Sequence, residues 1–540
     1  MTTNTVTFRE AAQGKILKGV QTLSNAVKAT LGPRGRNVLI EQDYGVPQTT
    51  KDGITVARSI TLKDPLESMG AQMVREASSK TADMAGDGTT TSVVLAEAIY
   101  TEGMKAVSSG ANPILIKRGI DKAVVEAVKA IRAQAKPITT QAEIESVATG
   151  SANWDASIGK MIAGAFEKVG KDGVITIEDS NTAESTIDIV DGMQIDRGYV
   201  SPYFVTNDKR MTCELENPYI LLYETRLDSL NTMLPVLQEV FKTGRSLLMI
   251  AQEIEGELLP ILVVNKLQKG FKLCAVKAPS FGEDRHATME DIATLTGAKY
   301  ITAALGVRLE NVQLSDLGSA RRVIIDKDKT TIIDGAGSKE AVDTRIAQVK
   351  EQISQAKQDY ERTSLQERLG RLIGGIAAIR VGAPTEPELK EKKDRLDDSL
   401  RATRSALEEG IVAGGGAALL HTAKAVEATE TDNDAERLGV QIIRKALESP
   451  LRTLCENAGR SDYASIIKQV IDNSHNAYGF DVAKESFGDL VTQGIIDPAK
   501  VTRCALENAA SVAGLLLTSE VAITNDREEQ KPHAQPSRNQ

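Results

Sequence analysis

The stretch Ala85–Tyr100, AGDGTTTSVVLAEAIY, joins a glycine-rich turn to an apolar run. Three adjacent threonines are unfavourable inside a helix, because each β-branched side chain loses χ1 freedom against the preceding turn. At the start of a helix, hydroxyls and unpaired backbone N–H groups can instead face an anion. The stretch therefore predicts a turn followed by a helix over 89–109.

Asp87 leaves two interpretations of this turn open. In one, Asp87 caps the helix, and the threonine side chains satisfy its first N–H groups. In the other, Gly86 and Gly88 let the backbone approach a phosphate, and a cation lies between that phosphate and Asp87. The second interpretation makes Asp87 a candidate Mg²⁺ ligand.

Helices are predicted on both sides of this turn and again near the end of the chain. Apolar spacing indicates early helices over 8–30, 64–84 and 114–133, so the first quarter is expected to be all helix. Later helical patterns cover 338–372, 386–409 and 434–520. Because both chain ends share this character, we expect them to build one domain together.

The middle of the chain has a strand-rich pattern. DGVITIED (172–179) and STIDIVDG (185–192) predict short alternating strands, and RRVIIDKDKTTIIDG (321–335) predicts a hairpin. Buried strands are predicted for the apolar runs YILLYE (219–224), SLLMIAQE (246–253) and KLCAVKAP (272–279). Helical segments such as TMLPVLQEV (232–240) and MEDIATLTG (289–297) separate them. This alternation indicates an α/β domain.

Composition excludes several classes of function. The 540 residues suffice for several domains, and 65 basic against 74 acidic residues give a net charge of −9, which argues against nucleic-acid binding. The four cysteines and four histidines are scattered, so neither a zinc site, a disulfide framework nor Ser-His chemistry is indicated. We find no apolar run of about 18 residues, and the start, MTTNTVTFRE, has no signal-peptide core. We expect a cytoplasmic protein with no membrane span.

The usual nucleotide-binding fingerprints are absent from the sequence. No Gly-Lys is followed by Ser or Thr, as a P-loop requires, and no G-x-G-x-x-G follows a predicted strand. Three further glycine-rich segments accompany the Asp87 turn, namely TLGPRGRN (30–37), TKDG (50–53) and VAGGGAALL (412–420). A phosphate site, if present, is therefore built in another way.

These segments belong to a longer resemblance. Eight blocks occur in one order: AVKATLGPRGRNVLI (26–40), TKDGITVAR (50–58), AGDGTTT (85–91), DRGYVSPYF (196–204), KAPSFGEDR (277–285), DIATLTG (291–297), EKKDRLDDSLRATR (391–404) and EEGIVAGGG (408–416). In sequence and spacing they resemble the bacterial-type (group I) chaperonins, the GroEL family of 60 kDa chaperonins. The resemblance covers essentially residues 2–525.

The resemblance implies a multi-domain α and α/β fold. Residues 1–136 and 410–525 would form a helical equatorial ATP-binding domain from both chain ends. Residues 137–191 and 376–409 would form a small mixed intermediate hinge domain, and 192–375 an α/β apical client-binding domain. Pro137, Gly192, Gly374 and Gly410 would serve as hinges, and 526–540 would be a disordered tail.

The resemblance also implies a site for ATP, Mg²⁺ and K⁺. Its nucleotide contacts would be Thr30, Leu31, Gly32, Pro33, Lys51, Asp87, Gly88, Thr89, Thr90, Thr91, Gly415, Asp481, Val482, Ala483 and Asp497. Asp87 would hold Mg²⁺, and the backbone near Thr30 and Lys51 would help to hold K⁺. The family has Asn-Ala-Ala where this chain has Asp481-Val482-Ala483, so contacts made there by an amide are expected to differ.

Asp398 is the catalytic residue that the resemblance implies. It would orient or activate the attacking water, and phosphoryl transfer depends chiefly on such positioning. The apolar stripe of its helix runs through Leu396 and Leu400, and Asp398 lies about 200° around the helix from Leu396. The pattern alone would also fit a solvated charge on the outer face of this helix.

A group of apolar residues in the middle of the chain would bind unfolded protein clients. The group is Tyr199, Tyr203, Phe204, Leu234, Leu237, Leu259, Val263 and Val264. Helical spacing alone favours a core role for them, whereas the resemblance places them on an exposed apical surface that also receives a GroES-type co-chaperonin. An exposed apolar surface of this kind implies a partner. Pro260 departs from the family pattern within this group.

The predicted function is that of an ATP-dependent chaperonin, an ATPase that captures unfolded proteins and encloses them for folding. The alternative is a holdase paralogue with low turnover, which would be expected to lack Asp87 or Asp398. A soluble α/β metabolic enzyme is a more distant alternative and would need a second substrate pocket. The family commonly ends in Gly-Met repeats, whereas this chain ends in KPHAQPSRNQ, so confinement of clients is expected to differ.

The resemblance further implies a homo-oligomer of two stacked heptameric rings. In the family, a basic residue at the position of Arg452 commonly meets an acidic residue of the opposite ring, at the position of Ser461. Here the acid is displaced to Asp462 and a second base, Arg460, is added. We therefore expect ring pairing weaker than is usual in the family.

Overall fold

The computed structural model describes residues 4–42, 47–171, 173–180, 182–208, 210–302, 308–356, 358–373 and 375–525. The predicted hinge Gly374 and the predicted disordered tail, 526–540, lie outside these residues. The chain divides into a terminal unit, Met1–Ala163 with Glu386–Gln540, and a central unit, Gly164–Thr385.

The helices and strands are numbered in chain order. The helices are α1 (Arg9–Lys28), α2 (Gly53–Ser59), α3 (Pro65–Ala85), α4 (Thr89–Ser108), α5 (Pro113–Gln134), α6 (Gln141–Ser151), α7 (Ala156–Val169), α8 (Leu230–Thr243), α9 (Leu258–Lys269), α10 (Gly282–Thr296), α11 (Lys339–Gln355), α12 (Asp359–Ile373), α13 (Glu386–Glu409), α14 (Ala417–His421), α15 (Ala423–Glu427), α16 (Asp434–Ala446), α17 (Ser449–Asn457), α18 (Tyr463–Asp472) and α19 (Ala499–Thr518). The strands are β1 (Asn4–Phe8), β2 (Val38–Ile40), β3 (Gln48–Thr50), β4 (Val174–Asp179), β5 (Thr186–Val190), β6 (Gly192–Ile195), β7 (Cys213–Glu216), β8 (Tyr219–Leu227), β9 (Leu247–Ile254), β10 (Leu273–Lys277), β11 (Tyr300–Ile301), β12 (Gly318–Ile325), β13 (Thr330–Gly335), β14 (Ile376–Val381), β15 (Ile411–Ala413), β16 (Tyr478–Asp481), β17 (Ser486–Asp489), β18 (Ile496–Pro498) and β19 (Val521–Asn525).

The terminal unit is a helical body built from both ends of the chain. Helices α1, α3, α4, α5 and α19 pack around one apolar core, in which Leu23, Ile99 and Ala509 are fully buried. Strand β1 pairs antiparallel with β19, so that Phe8 lies opposite Val521. The prediction that the two ends build one helical domain is confirmed.

The first quarter of the chain is not entirely helical, and that prediction was wrong. It contains strands β1, β2 and β3 in addition to its helices. The partner of β1 lies at the other end of the chain, so no local pattern could indicate the pairing. Strands β2 and β3 have three residues each, which is too short for an alternating pattern to show.

The central unit has the predicted α/β character. Its larger sheet has the strand order β10-β9-β8-β12-β13-β6, with β11 paired to β8 and β7 paired to β12. Strands β8, β9 and β10 are parallel neighbours, whereas β12 and β13 form the predicted antiparallel hairpin. A second sheet has the order β4-β14-β5. The predicted intermediate domain has parts in both units, and the division into three domains stays a prediction.

A buried ion cluster holds helices α10, α11 and α12 together in the central unit. The Asp291 carboxylate accepts a hydrogen bond from Arg345 Nε at 2.6 Å and from Arg368 Nε at 2.9 Å. The Asp291 side chain is 1% exposed. Removing one partner from a buried ion pair leaves an uncompensated charge, so loss of a member of this cluster is expected to lower the free energy of unfolding.

We predict that Asp291→Ala lowers the free energy of unfolding of the central unit by about 3–5 kcal/mol. The matched control is Glu290→Ala, since the exposed Glu290 also pairs with Arg345, at 2.9 Å, and should contribute about 0–1 kcal/mol. Urea unfolding of the two variants and the wild-type chain measures the difference. Equal losses in both variants would contradict the assigned role of Asp291.

Candidate nucleotide site

A cavity of about 770 Å³ lies within the terminal unit. Its lining comes from the loop after α1, the segment around β3 and the start of α2, the turn between α3 and α4, the end of α6, and the first half of α13. Predicted site residues that line it are Thr30, Leu31, Gly32, Lys51, Asp87, Gly88, Thr89, Thr90, Thr91 and Asp398. Five separate segments of the chain thus meet at one place.

The turn between α3 and α4 has the conformation that its glycines permit. Gly86 ends α3 with φ 78° and Gly88 begins α4 with φ 81°, both in the left-handed region. Gly88, not Asp87, is the N-cap of α4, and no side chain caps this helix. The first interpretation of the turn, with Asp87 as the cap, is therefore wrong. The first N–H groups of α4 are left for a ligand.

The Asp87 carboxylate is held in place by two hydrogen bonds. It accepts one from the N–H of Gly88, at 2.5 Å, and one from Ser151 Oγ, at 2.6 Å. Burial raises the pKa of Asp87, and the charge of Asp52 raises it further, against the opposing effect of these hydrogen bonds. A carboxylate that is held in a fixed position and lies near other negative charges is well suited to bind a cation.

Asp398 lies among other carboxylates on the cavity wall. Burial raises its pKa well above the usual value, and the charges of Asp52, Asp87 and Asp397 add to this effect. On the same helix, Leu396 and Leu400 are buried, whereas Asp398 is half-buried and lines the cavity. The arrangement places a strong proton acceptor beside a crowded acidic site.

Asp52 and Ser151 line the cavity but were not among the predicted site residues. Asp52 caps α2, where its carboxylate accepts hydrogen bonds from the N–H groups of Ile54 and Thr55, at 3.2 and 3.1 Å. The TKDG segment contained a signal for Asp52, a carboxylate beside a glycine. No sequence signal joined Ser151 to Asp87, because they are 64 residues apart.

Several predicted nucleotide contacts do not line this cavity, namely Pro33, Gly415, Asp481, Val482, Ala483 and Asp497. Asp497 lies opposite Val412 in the β15–β18 pair, and burial together with the charge of Asp87 raises its pKa to about 7. The Asp481 side chain is 5% exposed and accepts hydrogen bonds from the N–H groups of Ala483 and Lys484. Roles for these residues in nucleotide binding stay predictions.

In the part of the chain that the structure describes, no group of three or more His, Cys, Asp or Glu side chains is placed to hold a metal ion. The residues nevertheless fit a cation that is shared with phosphate groups. Mg²⁺ is usually bound by one or two carboxylates together with substrate phosphates and water. Asp87 supplies such a carboxylate next to the uncapped start of α4.

The predicted client-binding residues lie in the central unit with very different exposure. Tyr203, Leu234 and Val264 are 64%, 39% and 47% exposed. Tyr199, Leu237, Leu259 and Val263 are half-buried against the core of this unit.

Phe204 is fully buried in that core, so its prediction as a client contact needs correction. The tight turn Pro202–Phe204 directs Tyr203 outward and Phe204 inward. Phe204 therefore anchors the turn and is not offered to a client.

Comparisons with known proteins agree with this architecture. The family model of the TCP-1/cpn60 chaperonin family matches residues 23–527. The chain is also similar to the chaperonin gp146 from the bacteriophage EL 2 (Pseudomonas aeruginosa), crystallised in the presence of ATP-BeFx. That similarity has a TM-score of 0.67 and 22% sequence identity, and it covers 97% of this chain and 99% of that chain, which shows a shared fold. Every helix in the described part of the chain is too short or too polar to span a membrane. The chain belongs to the TCP-1/cpn60 chaperonin family.

Proposed function

We propose that this chaperonin is an ATP-driven folding chaperone of the GroEL type. It would capture unfolded proteins on the central unit and release them for folding when ATP is hydrolysed in the terminal unit. The observation that carries the proposal is the cavity in which the uncapped start of α4 meets the carboxylates of Asp52, Asp87 and Asp398. An anion site beside three carboxylates suits a phosphate chain bound together with cations.

The phosphates of ATP would bind at the start of α4. The N–H groups of this first turn and the hydroxyls of Thr89, Thr90 and Thr91 would donate hydrogen bonds to them, and Lys51 would add a positive charge. Asp87, oriented by Ser151, would hold Mg²⁺, which when bound neutralises phosphate charge. The backbone near Thr30 and Lys51 would help to hold K⁺.

Asp398 would orient the attacking water and accept its proton. Its raised pKa makes the ionised form a stronger base than an ordinary aspartate. Asp52, fixed by the N–H groups at the start of α2, would supply a second acceptor for the same water. Orienting this water is a positioning role, and positioning is the main demand of phosphoryl transfer.

Steady-state ATP hydrolysis by the purified chain tests this proposal. We expect many turnovers per subunit with Mg²⁺ and K⁺, almost none after chelation of Mg²⁺, and slower turnover when Na⁺ replaces K⁺. A holdase that binds clients without an ATP cycle would show less than one turnover per subunit. That result would overturn the proposal.

The central unit would present its exposed apolar side chains to unfolded clients and then to a GroES-type co-chaperonin. Tyr203, Leu234 and Val264 are the most exposed of the predicted contacts. We further propose that the protein acts in the cytoplasm as a ring-shaped homo-oligomer of two heptameric rings.

The charged groups expected at the ring contact are paired within one chain. Arg452 donates to Glu448 at 3.0 Å, and its guanidinium lies 5.5 Å from the centre of the Tyr463 ring. Arg460 pairs with Asp462 at 2.6 Å. The displaced acid therefore pairs with the added base and not with Arg452, which supports weaker pairing between rings.

We predict that double rings of the wild-type chain dissociate to single rings or smaller species on dilution or in added salt. An exposed ion pair contributes only about 0–1 kcal/mol, but ring symmetry repeats its loss at every contact. Ser461→Glu should strengthen the double ring. Analytical ultracentrifugation over a dilution series measures both effects, and a wild-type double ring that persists at nanomolar subunit concentration in high salt would contradict the prediction.

A further inference from the structure

We propose that Lys266 is a positioning residue for client capture, because its ammonium group fixes the turn that presents Tyr203. The inference rests on the proposed function, since it concerns the same client-binding surface. Lys266 was not among the residues predicted for that surface. It lies on α9, three residues after Val263, so the two side chains share one side of the helix.

The turn Pro202–Phe204 presents two adjacent aromatic residues in opposite directions. Phe204 is buried in the core of the central unit, whereas Tyr203 is among the most exposed large side chains of that unit. Within the turn, the N–H of Phe204 donates to the carbonyl of Ser201 at 3.1 Å, and the N–H of Val205 donates to the carbonyl of Pro202 at 3.1 Å. These bonds are local, so they do not tie the turn to helix α9.

Lys266 links the turn to helix α9 by two hydrogen bonds. Its Nζ donates to the carbonyl oxygen of Tyr203 at 2.7 Å and to that of Val205 at 2.5 Å. The two carbonyls lie on either side of Phe204, so one ammonium group holds both the residue that carries the exposed ring and the exit of the turn. Charge-assisted hydrogen bonds of this kind are shorter and stronger than neutral ones.

The interactions of Lys266 differ from those of Lys242, a surface lysine on helix α8. Lys242 of α8 is 69% exposed and pairs with Glu239 of the same helix at 2.6 Å, one residue before that helix ends. Lys266 is half-buried, and within the described residues its hydrogen-bond partners are the two carbonyls. The ammonium group of Lys266 therefore holds the backbone of the turn, whereas that of Lys242 forms a surface ion pair.

The consequence concerns affinity for clients. A side chain that is already fixed in its binding orientation loses less conformational freedom when it binds. If the two hydrogen bonds are removed, the turn remains anchored by Phe204 but Tyr203 is no longer fixed against α9. We infer that capture of an unfolded chain then weakens through Tyr203.

A double-mutant cycle with the full chain tests this inference. Lys266→Met keeps the unbranched stem and removes the donors, and Tyr203→Ala removes the side chain that is positioned. The measured quantity is the Kd for a fluorescently labelled, guanidinium-denatured protein without ATP. We expect Lys266→Met to weaken capture roughly fivefold in the wild-type background and less than about twofold in the Tyr203→Ala background, because coupled residues give non-additive effects.

Two companion variants and one structural readout complete the test. Lys266→Arg retains a cation with several donors and should recover most of the affinity. Lys242→Met removes a lysine of the same unit outside the turn and should leave the Kd unchanged. Hydrogen exchange of the 199–206 segment should become faster in Lys266→Met and stay as in the wild type in Lys242→Met.

The possible failures can be told apart. A Tyr203→Ala variant with wild-type affinity would overturn the proposed client surface, and with it a role for Lys266. A weakened Tyr203→Ala variant beside a Lys266→Met variant of wild-type affinity would overturn the inference alone. Equal losses from Lys266→Met in both backgrounds would also overturn it, since Lys266 would then act by its charge. If Lys266→Met unfolds, the same cycle with Lys266→Ala, which also lacks a side-chain donor, decides between these outcomes.

Discussion

Asp398→Ala is expected to slow ATP hydrolysis by a factor of about 10² or more, while ATP still binds. The proposed phosphate contacts come from the turn between α3 and α4, so removing a carboxylate of α13 would leave them in place. The variant would lose the group that is proposed to orient the attacking water and to accept its proton. Single-turnover hydrolysis, together with the Kd for ATP, separates the two effects.

Asp394→Ala is the matched control for this prediction. Asp394 lines the same cavity one helical turn before Asp398, so its removal changes the local charge by the same amount. We expect hydrolysis to stay near the wild-type rate in this variant. Similar rates in the two variants would show that general charge, and not the position of Asp398, governs hydrolysis.

Val264→Glu is expected to weaken capture of unfolded protein at least tenfold. Val264 is among the exposed residues of helix α9, and burying a valine against a client contributes about 1.5–3 kcal/mol. The glutamate loses that contribution and adds the cost of removing a charge from water. Each 1.4 kcal/mol is a tenfold change in Kd, which a binding titration without ATP resolves easily.

Gln348→Glu serves as the control for the added charge. Gln348 lies exposed on α11 of the same unit, where it accepts a hydrogen bond from Arg345. A glutamate there should leave the Kd for the client unchanged. If both variants lose affinity equally, the net charge of the protein explains the loss and Val264 is not a client contact.

The fold could be predicted largely from local patterns. Helices α3, α4 and α5 have strong apolar spacing, and the apolar runs that became β8, β9 and β10 could be recognised as buried strands. The pairing of β1 with β19 could not be predicted in this way, because the two strands that pair lie at opposite ends of the chain. Short strands such as β2 depend on a partner and carry almost no pattern of their own.

The candidate site was predictable where glycine or a charged residue marked it. The Asp87 turn and Asp398 line the same cavity, as expected from the sequence. The interpretation of Asp87 as the N-cap of α4 was wrong, because Gly88 is the N-cap. Ser151 was missed because only tertiary packing brings it to Asp87. Tyr203 and Phe204 are neighbours of similar character, and only the geometry of their turn decides which ring is exposed.

The central claim is that ATP hydrolysis drives productive release of a captured client. Refolding of a guanidinium-denatured enzyme that aggregates on dilution tests it most directly, with recovered enzyme activity as the measurement. The full chain should suppress aggregation without ATP and restore activity well above the spontaneous yield only with ATP, Mg²⁺, K⁺ and a bacterial GroES-type co-chaperonin. Recovery that is the same with and without ATP, at equal suppression of aggregation, would contradict the account and identify the protein as a holdase.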